Sequence, residues 1–139
     1  MSQSALPPIT LNRQDFNRLE ALLAAPQWHD HPTAQALARE LDRAQLLAPT
    51  EIAADLVTMN STVTCVEEMH GLEHTVTLSY PAETGKGEGR VSVLAPVGAA
   101  LLGLSVGQRI DWSGPDGRPL RLRVSSIGYQ PEAAGHFHL

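Results

Sequence analysis

Aromatic side chains are scarce in this chain, with two each of Phe, Trp and Tyr. A core without them must be filled by Leu, Val and Ala, and an aromatic-lined ligand pocket is hard to furnish. There is one cysteine, Cys65, so no internal disulfide can form. Cys65 stands in an alternating β pattern, which reads as a buried structural thiol rather than a nucleophile. No apolar run approaches the roughly 20 residues of a membrane span, and the first ten residues lack the basic and apolar regions of a signal peptide. A cytoplasmic protein without membrane attachment is expected.

Positive charge is also short. The net charge is −5, and Lys86 is the single lysine beside nine arginines. This argues against a sequence-specific DNA binder, which needs a clustered cationic surface to displace counterions. The charge is uneven: residues 51–88 carry seven acids against Lys86, whereas residues 90–123 carry five Arg against Asp111 and Asp116. Such asymmetry fits either docking onto a large charged partner or solvated strand faces.

What is present is 139 residues with 42% hydrophobic and 18% charged side chains, enough for one ordinary domain with an appendage. The spacing predicts an α+β chain divided near residue 50. In the first part, Phe16, Leu19, Leu22 and Leu23 follow helical spacing, giving a helix over about Asn12–Ala25. Thr33 can cap a second helix running to about Leu47, with Ala34, Leu37, Leu41, Ala44 and Ala48 on a narrow seam. Together they read as a short antiparallel coiled-coil hairpin over residues 1–50, with arms of roughly 20 Å and Trp28–Pro32 at its tip. The same stripe would serve a projecting hairpin or one folded against the remainder.

Residues 51–139 read as a β-rich domain of about five strands and one short helix. Thr62–Glu67 and His74–Tyr80 suggest a hairpin, Ala82–Gly89 a flexible glycine-rich loop, and Asp116-Gly117 a tight turn before a strand over Leu120–Ile127. The most informative stretch is Val91–Gln108. There an alternating strand to Ala95 meets Pro96, a favoured first helical residue, and a helix follows through Val97, Ala100, Leu101 and Leu104 to Gly103 and Gly107. The tail after Ile127 carries no assignable pattern.

Chemistry-bearing patterns are few. His29-Asp30-His31 and His136-Phe137-His138 could each begin a metal site, but neither neighbourhood supplies further ligands. His70 and His74 carry less. Gly103-Leu-Ser-Val-Gly107 matches the letters of a nucleophile elbow, yet Ser105 follows a helix and precedes a strand, the reverse of what that elbow requires. The run Glu83–Gly89 lacks the spacing of a phosphate-binding loop. Asp30 is the one acid at the predicted tip. No cofactor, metal site or catalytic residue is assigned.

Four separated motifs, ELDRAQ at Glu40–Gln45, VTMNS at Val57–Ser61, APVGAALLGLSVG at Ala95–Gly107 and YQPEAAG at Tyr129–Gly135, closely resemble the Rnk family of regulators of nucleoside diphosphate kinase. The match runs from about Ile9 onward, and its C-terminal half is also similar to the C-terminal domain of the Gre transcript-cleavage factors. The resemblance implies an N-terminal antiparallel coiled coil, a C-terminal domain of the FK506-binding-protein type, and binding to bacterial RNA polymerase near its secondary channel. It implies a non-enzymatic, monomeric regulator without cofactor that affects nucleoside diphosphate kinase only indirectly. The docking candidates it marks are Ala95, Pro96, Val97 and Ala99; the tip candidates are His29, Asp30 and His31. Three departures stand out: the hairpin is several turns shorter than in Gre factors, its tip offers only Asp30, and the Ser and Arg of the Gre junction are Ala95 and Ala99 here. A peptidyl-prolyl isomerase, by analogy of domain type alone, and a metal-binding stress module are the alternatives.

Overall fold

A computed structural model describes residues 9–87, 89–113 and 119–136. The described residues open with a short strand, β1 (Thr10–Asn12), that runs directly into helix α1 (Arg13–Leu23). Asn12 caps this helix, its side-chain oxygen accepting from the Asp15 amide at 2.7 Å. A 3-10 turn over Pro26–Trp28 leads to helix α2 (Pro32–Asp42). Pro32 occupies the first turn, where a missing amide hydrogen costs nothing, and the His31 ring accepts from the Ala34 amide at 3.2 Å as the cap.

The second helix ends five residues before the predicted Leu47. Gln45–Leu47 is instead strand β2, which pairs in parallel with β1. The Gln45 amide donates to the Ile9 carbonyl at 3.0 Å. The backbone around Ile9–Asn12 needs hydrogen-bond partners where it is buried, and the parallel ladder supplies them. Each helix has 11 residues, hence a length of about 16 Å.

The remainder forms a five-stranded sheet in the order β5-β4-β3-β7-β6. Its members are β3 (Thr62–Glu67), β4 (Leu72–Ser79), β5 (Arg90–Ser92), β6 (Arg109–Ser113) and β7 (Pro119–Tyr129). The β3–β4 hairpin is antiparallel, with Thr62 opposite Thr77 and Thr64 opposite Thr75. Those threonines hydrogen-bond across the outer face at 2.8 and 3.0 Å. Strand β5 is shorter than the alternation predicts, because the Ala95 amide turns back to the Ser92 carbonyl at 2.9 Å before Pro96 opens helix α3 (Pro96–Leu101). The predicted glycine-rich loop is partly ordered: Pro81–Lys86 forms a 3-10 turn, with the Glu83 amide donating to the Tyr80 carbonyl at 2.9 Å. The Asp116-Gly117 turn lies outside the described residues.

Alternating residues Val63, Cys65, Leu78, Leu122 and Val124 line the inner face of the sheet and are buried. The helical stripe joins them. Leu19, Ala34, Leu37 and Leu41 share one apolar core with Val57, Met59, Leu94, Ala99 and Leu101. The helical pair is therefore folded against the sheet. Burying each such Leu contributes about 1.5–3 kcal/mol, which favours this arrangement over exposing the stripe.

The stretch Val91–Leu104 carries the connection. A Cβ on Gly98 would meet the Ser92 carbonyl oxygen at 2.2 Å, so α3 lies directly on β5. Beyond the helix, Gly103 takes φ +82°. Its amide donates to the Val57 carbonyl at 2.9 Å, its carbonyl accepts from Thr10 at 3.2 Å, and Leu104 accepts from the Val57 amide at 2.8 Å.

Candidate functional site

The strand–helix junction presents Ala95, Pro96 and Val97, all half-buried, at the start of α3. Ala99 is 2% exposed and faces the core. Its methyl is therefore not at the surface, and its neighbours Gly98, Ala100 and Leu101 in this short helix are buried as well. The junction surface is a small apolar patch stiffened by the proline ring.

At the other end of the helical pair, His29 and Asp30 have 84% and 95% side-chain exposure, and their side chains meet at 3.1 Å. His31 is turned inward. Besides capping α2, it meets Trp28 edge to face, with ring centroids 5.4 Å apart. The two histidines of this motif thus have different jobs and do not converge. Among the described residues, no group of three or more His, Cys, Asp or Glu is placed to hold a metal ion, and no helix is long and apolar enough to cross a membrane.

The other sequence candidates are absorbed by the fold. Cys65 is fully buried, and burial pushes its thiol upward in pKa, away from the reactive thiolate. The Ser105 amide is bound by the Gln108 side chain at 2.8 Å in the turn between α3 and β6. His70 pairs with Glu67 at 2.7 Å at the exposed β3–β4 turn. His136 meets the Tyr129 hydroxyl at 2.6 Å, while its predicted companion His138 lies outside the described residues. The arginines of the C-terminal third are partly matched within the sheet: Glu68 bridges Arg109 and Arg123, each at 3.2 Å, and Arg121 meets Asp111 at 2.9 Å.

The feature that sequence reasoning missed is a polar cluster where the helical pair, the Val57–Ser61 segment and the C-terminal turn meet. Asp15, only 2% exposed, accepts from the Met59 amide at 3.1 Å and from the Tyr80 hydroxyl at 3.5 Å. Burial is the largest influence on its carboxyl and raises it from 3.8 to about 7. Glu132 accepts from the Thr58 hydroxyl at 2.7 Å and from the Asn12 carboxamide. Gln130 fixes the turn by donating to the Ala53 and Leu56 carbonyls, both at 2.7 Å. The signal was present in VTMNS and YQPEAAG, two motifs rich in polar residues and 74 positions apart at Thr58 and Glu132. Nothing in either motif indicates that they meet.

Beside this cluster an open groove runs between α1 and the end of β4, lined by Arg18, Leu22, Asn60, Tyr80 and Glu83. Asn60 adopts φ +69° there, a left-handed conformation that Asn tolerates better than most residues. Its amide donates to the Leu78 carbonyl at 2.7 Å.

Two family models match the chain in succession. The Rnk N-terminus model covers residues 7–47, and the transcription elongation factor GreA/GreB C-terminal model covers residues 52–129. The regulator of nucleoside diphosphate kinase of Escherichia coli strain K12 is 46% identical over 133 residues, covering 96% of this chain and 98% of the relative. Transcription elongation factor GreA of Syntrophomonas wolfei is 33% identical over 82 residues, 59% of this chain and 52% of that protein. Among solved structures, a prokaryotic transcription elongation factor GreA/GreB from Nitrosomonas europaea superposes with TM-score 0.70 at 41% identity, covering 88% of this chain and 99% of that one. By its match along nearly the full length, and by the GreA/GreB module that holds the Pro96 junction, the chain belongs to the family of regulators of nucleoside diphosphate kinase.

Proposed function

We propose that this protein is a non-enzymatic transcription regulator that binds bacterial RNA polymerase at the rim of the secondary channel. The C-terminal module, of the FK506-binding-protein type, docks through the surface around Ala95, Pro96 and Val97. The helical pair, a short coiled-coil hairpin of the Gre kind, faces the channel without reaching the active site. It competes with the longer Gre factors and does not stimulate transcript cleavage. Effects on nucleoside diphosphate kinase are indirect, through transcription, and the working form is a cytoplasmic monomer that reads no DNA sequence.

The observation that carries this reading is the GreA/GreB C-terminal match over residues 52–129, joined to helices of only 11 residues. At 1.5 Å per residue such helices are about 16 Å long, and they lie against the sheet. The tip offers a single acid, Asp30, beside His29, which is a poor set of oxygen ligands for a divalent cation.

A competition assay tests the proposal. Core RNA polymerase carrying a fluorescently labelled Gre factor is titrated with the protein, and cleavage of a backtracked transcript is followed in parallel. Displacement of the label together with loss of Gre-stimulated cleavage is expected. Failure to displace it at saturating protein overturns the proposal.

A further inference from the structure

The polar cluster at the seam unites three segments distant in sequence. Asn12 fixes its geometry. Its side-chain oxygen accepts from the Asp15 amide at 2.7 Å, which orients the carboxamide and turns its nitrogen toward the two carboxylates. That nitrogen donates to Asp15 at 3.3 Å and also to Glu132. An amide nitrogen has two hydrogens, one for each acid. One amide therefore bridges a carboxyl at the start of α1 and a carboxyl on the C-terminal turn.

We infer that Asp15 and Glu132 form a proton-operated latch that docks the C-terminal turn on the start of α1 while one carboxyl is protonated, and releases the turn when both are ionised. The inference concerns the protein alone and holds whatever its partner.

The groups around Asp15 set the balance. Glu132 faces it from the C-terminal turn and disfavours ionisation, as does burial. Arg18 of the same helix, the Tyr80 hydroxyl at the end of β4 and the Met59 amide act in the opposite sense. The result is a carboxyl at about 7, so the proton leaves near neutrality. Two carboxylates facing each other at a largely water-excluded site repel.

Glu132 is the member nearer solvent. Asp15 is part of a helix whose apolar stripe is in the core, whereas Glu132 sits between buried Pro131 and the exposed residues 133–136. Gln130, donating to the Ala53 and Leu56 carbonyls and accepting from the Ala133 amide at 3.1 Å, anchors the base of the turn. His136 also lies on the turn, against Tyr129.

The test uses NMR on the full chain between pH 5.5 and 8.5. The Asp15 carboxyl carbon shift reports its protonation, and the heteronuclear NOE of residues 132–136 reports the docking of the turn. In the wild type both are expected to change together with a midpoint near pH 7. Asp15→Asn, permanently neutral, should keep the turn rigid throughout. Glu132→Gln should move the Asp15 midpoint to lower pH, because the like charge is gone. An Asp15 carboxyl that titrates below pH 5, a turn equally ordered at both ends of the range, or an Asp15→Asn protein that retains the pH response would each overturn the latch.

Discussion

A Cβ added to Gly103 would stand 2.7 Å from the Cβ of Ile9. These two residues bring the turn after α3 and the first strand of the chain into direct contact, and the positive φ of +82° at Gly103 makes the approach possible. Gly103→Ala therefore combines left-handed strain of about 1–2 kcal/mol with a clash against a buried side chain of about 1–3 kcal/mol. A loss of roughly 2–5 kcal/mol in urea unfolding is expected. A loss under 1 kcal/mol would show that the seam between the helical pair and the sheet is compliant there.

Gly98→Ala tests the seat of helix α3 itself. Its Cβ would meet the Ser92 carbonyl oxygen at 2.2 Å, an obstacle made of backbone rather than a flexible side chain. Helix α3 must then lift from β5, at a cost toward the upper end of the 1–3 kcal/mol typical of overpacking, about 3 kcal/mol. Because Pro96 opens this helix, the variant should also weaken polymerase binding if the junction is the docking surface. Thermal melting and the competition titration check the two effects separately.

The Asp15 carboxyl makes stability depend on pH with a defined sign. It is raised in the folded protein to about 7 from 3.8, so between these values the folded state holds a proton that the unfolded chain has released. Its contribution is complete below pH 3.8 and is lost as pH rises through 7. In the middle of that window stability should fall by about 1.4 kcal/mol per pH unit from this group. Comparing urea unfolding of wild type and Asp15→Asn at pH 5, 6 and 7 isolates the slope. Parallel curves for the two proteins would contradict the assignment.

His31 is a helix cap rather than a tip ligand. Its Nδ1 accepts from the Ala34 amide at 3.2 Å, so His31→Ala leaves that amide without its partner at a cost of about 1 kcal/mol. His31→Asp, a stronger cap placed at the positive end of the helix dipole, should match or exceed the wild type. Chemical unfolding of both variants at neutral pH distinguishes this role from a purely exposed one, for which neither substitution would matter.

The sequence is most transparent where its patterns are local. The alternation of Val63 and Cys65, the Pro96 start of α3 and the two amphipathic helices are all legible, because side-chain spacing and capping chemistry act within a few residues. The end of α2 is not. Residues 43–47 continue a helical stripe, and what overrides it is a parallel pairing with Thr10–Asn12, some 35 positions away, whose reward appears only once both strands are buried. The polar cluster was hidden for the same reason. Asp15 reads as an acid favoured by the helix dipole, and only the arrival of Glu132 and Met59 makes it a buried carboxyl. Ala99 shows the converse: its place in a motif marked it for the surface, whereas the tight seat of α3 on β5 turns it inward.

That orientation of α3 narrows the docking test to Val97. Part of its side chain packs on the core while the rest is half-exposed beside Pro96, so Val97→Asp places a charge on the apolar patch. A charge that must be desolvated on docking without a partner is costly, and a loss of competition with Gre factors of about tenfold or more, equivalent to about 1.4 kcal/mol, is expected. Asp30→Asn is the control at the opposite end. Asp30 is solvent-exposed beside His29, and in the proposed docking a helical pair of about 16 Å stops short of the active site. Competition should therefore be unchanged in Asp30→Asn, and transcript cleavage should be unstimulated by it and by the wild type alike. If Asp30→Asn removed an activity that Val97→Asp retained, the tip rather than the junction would be the working surface, and the order of importance proposed for the two ends would be reversed.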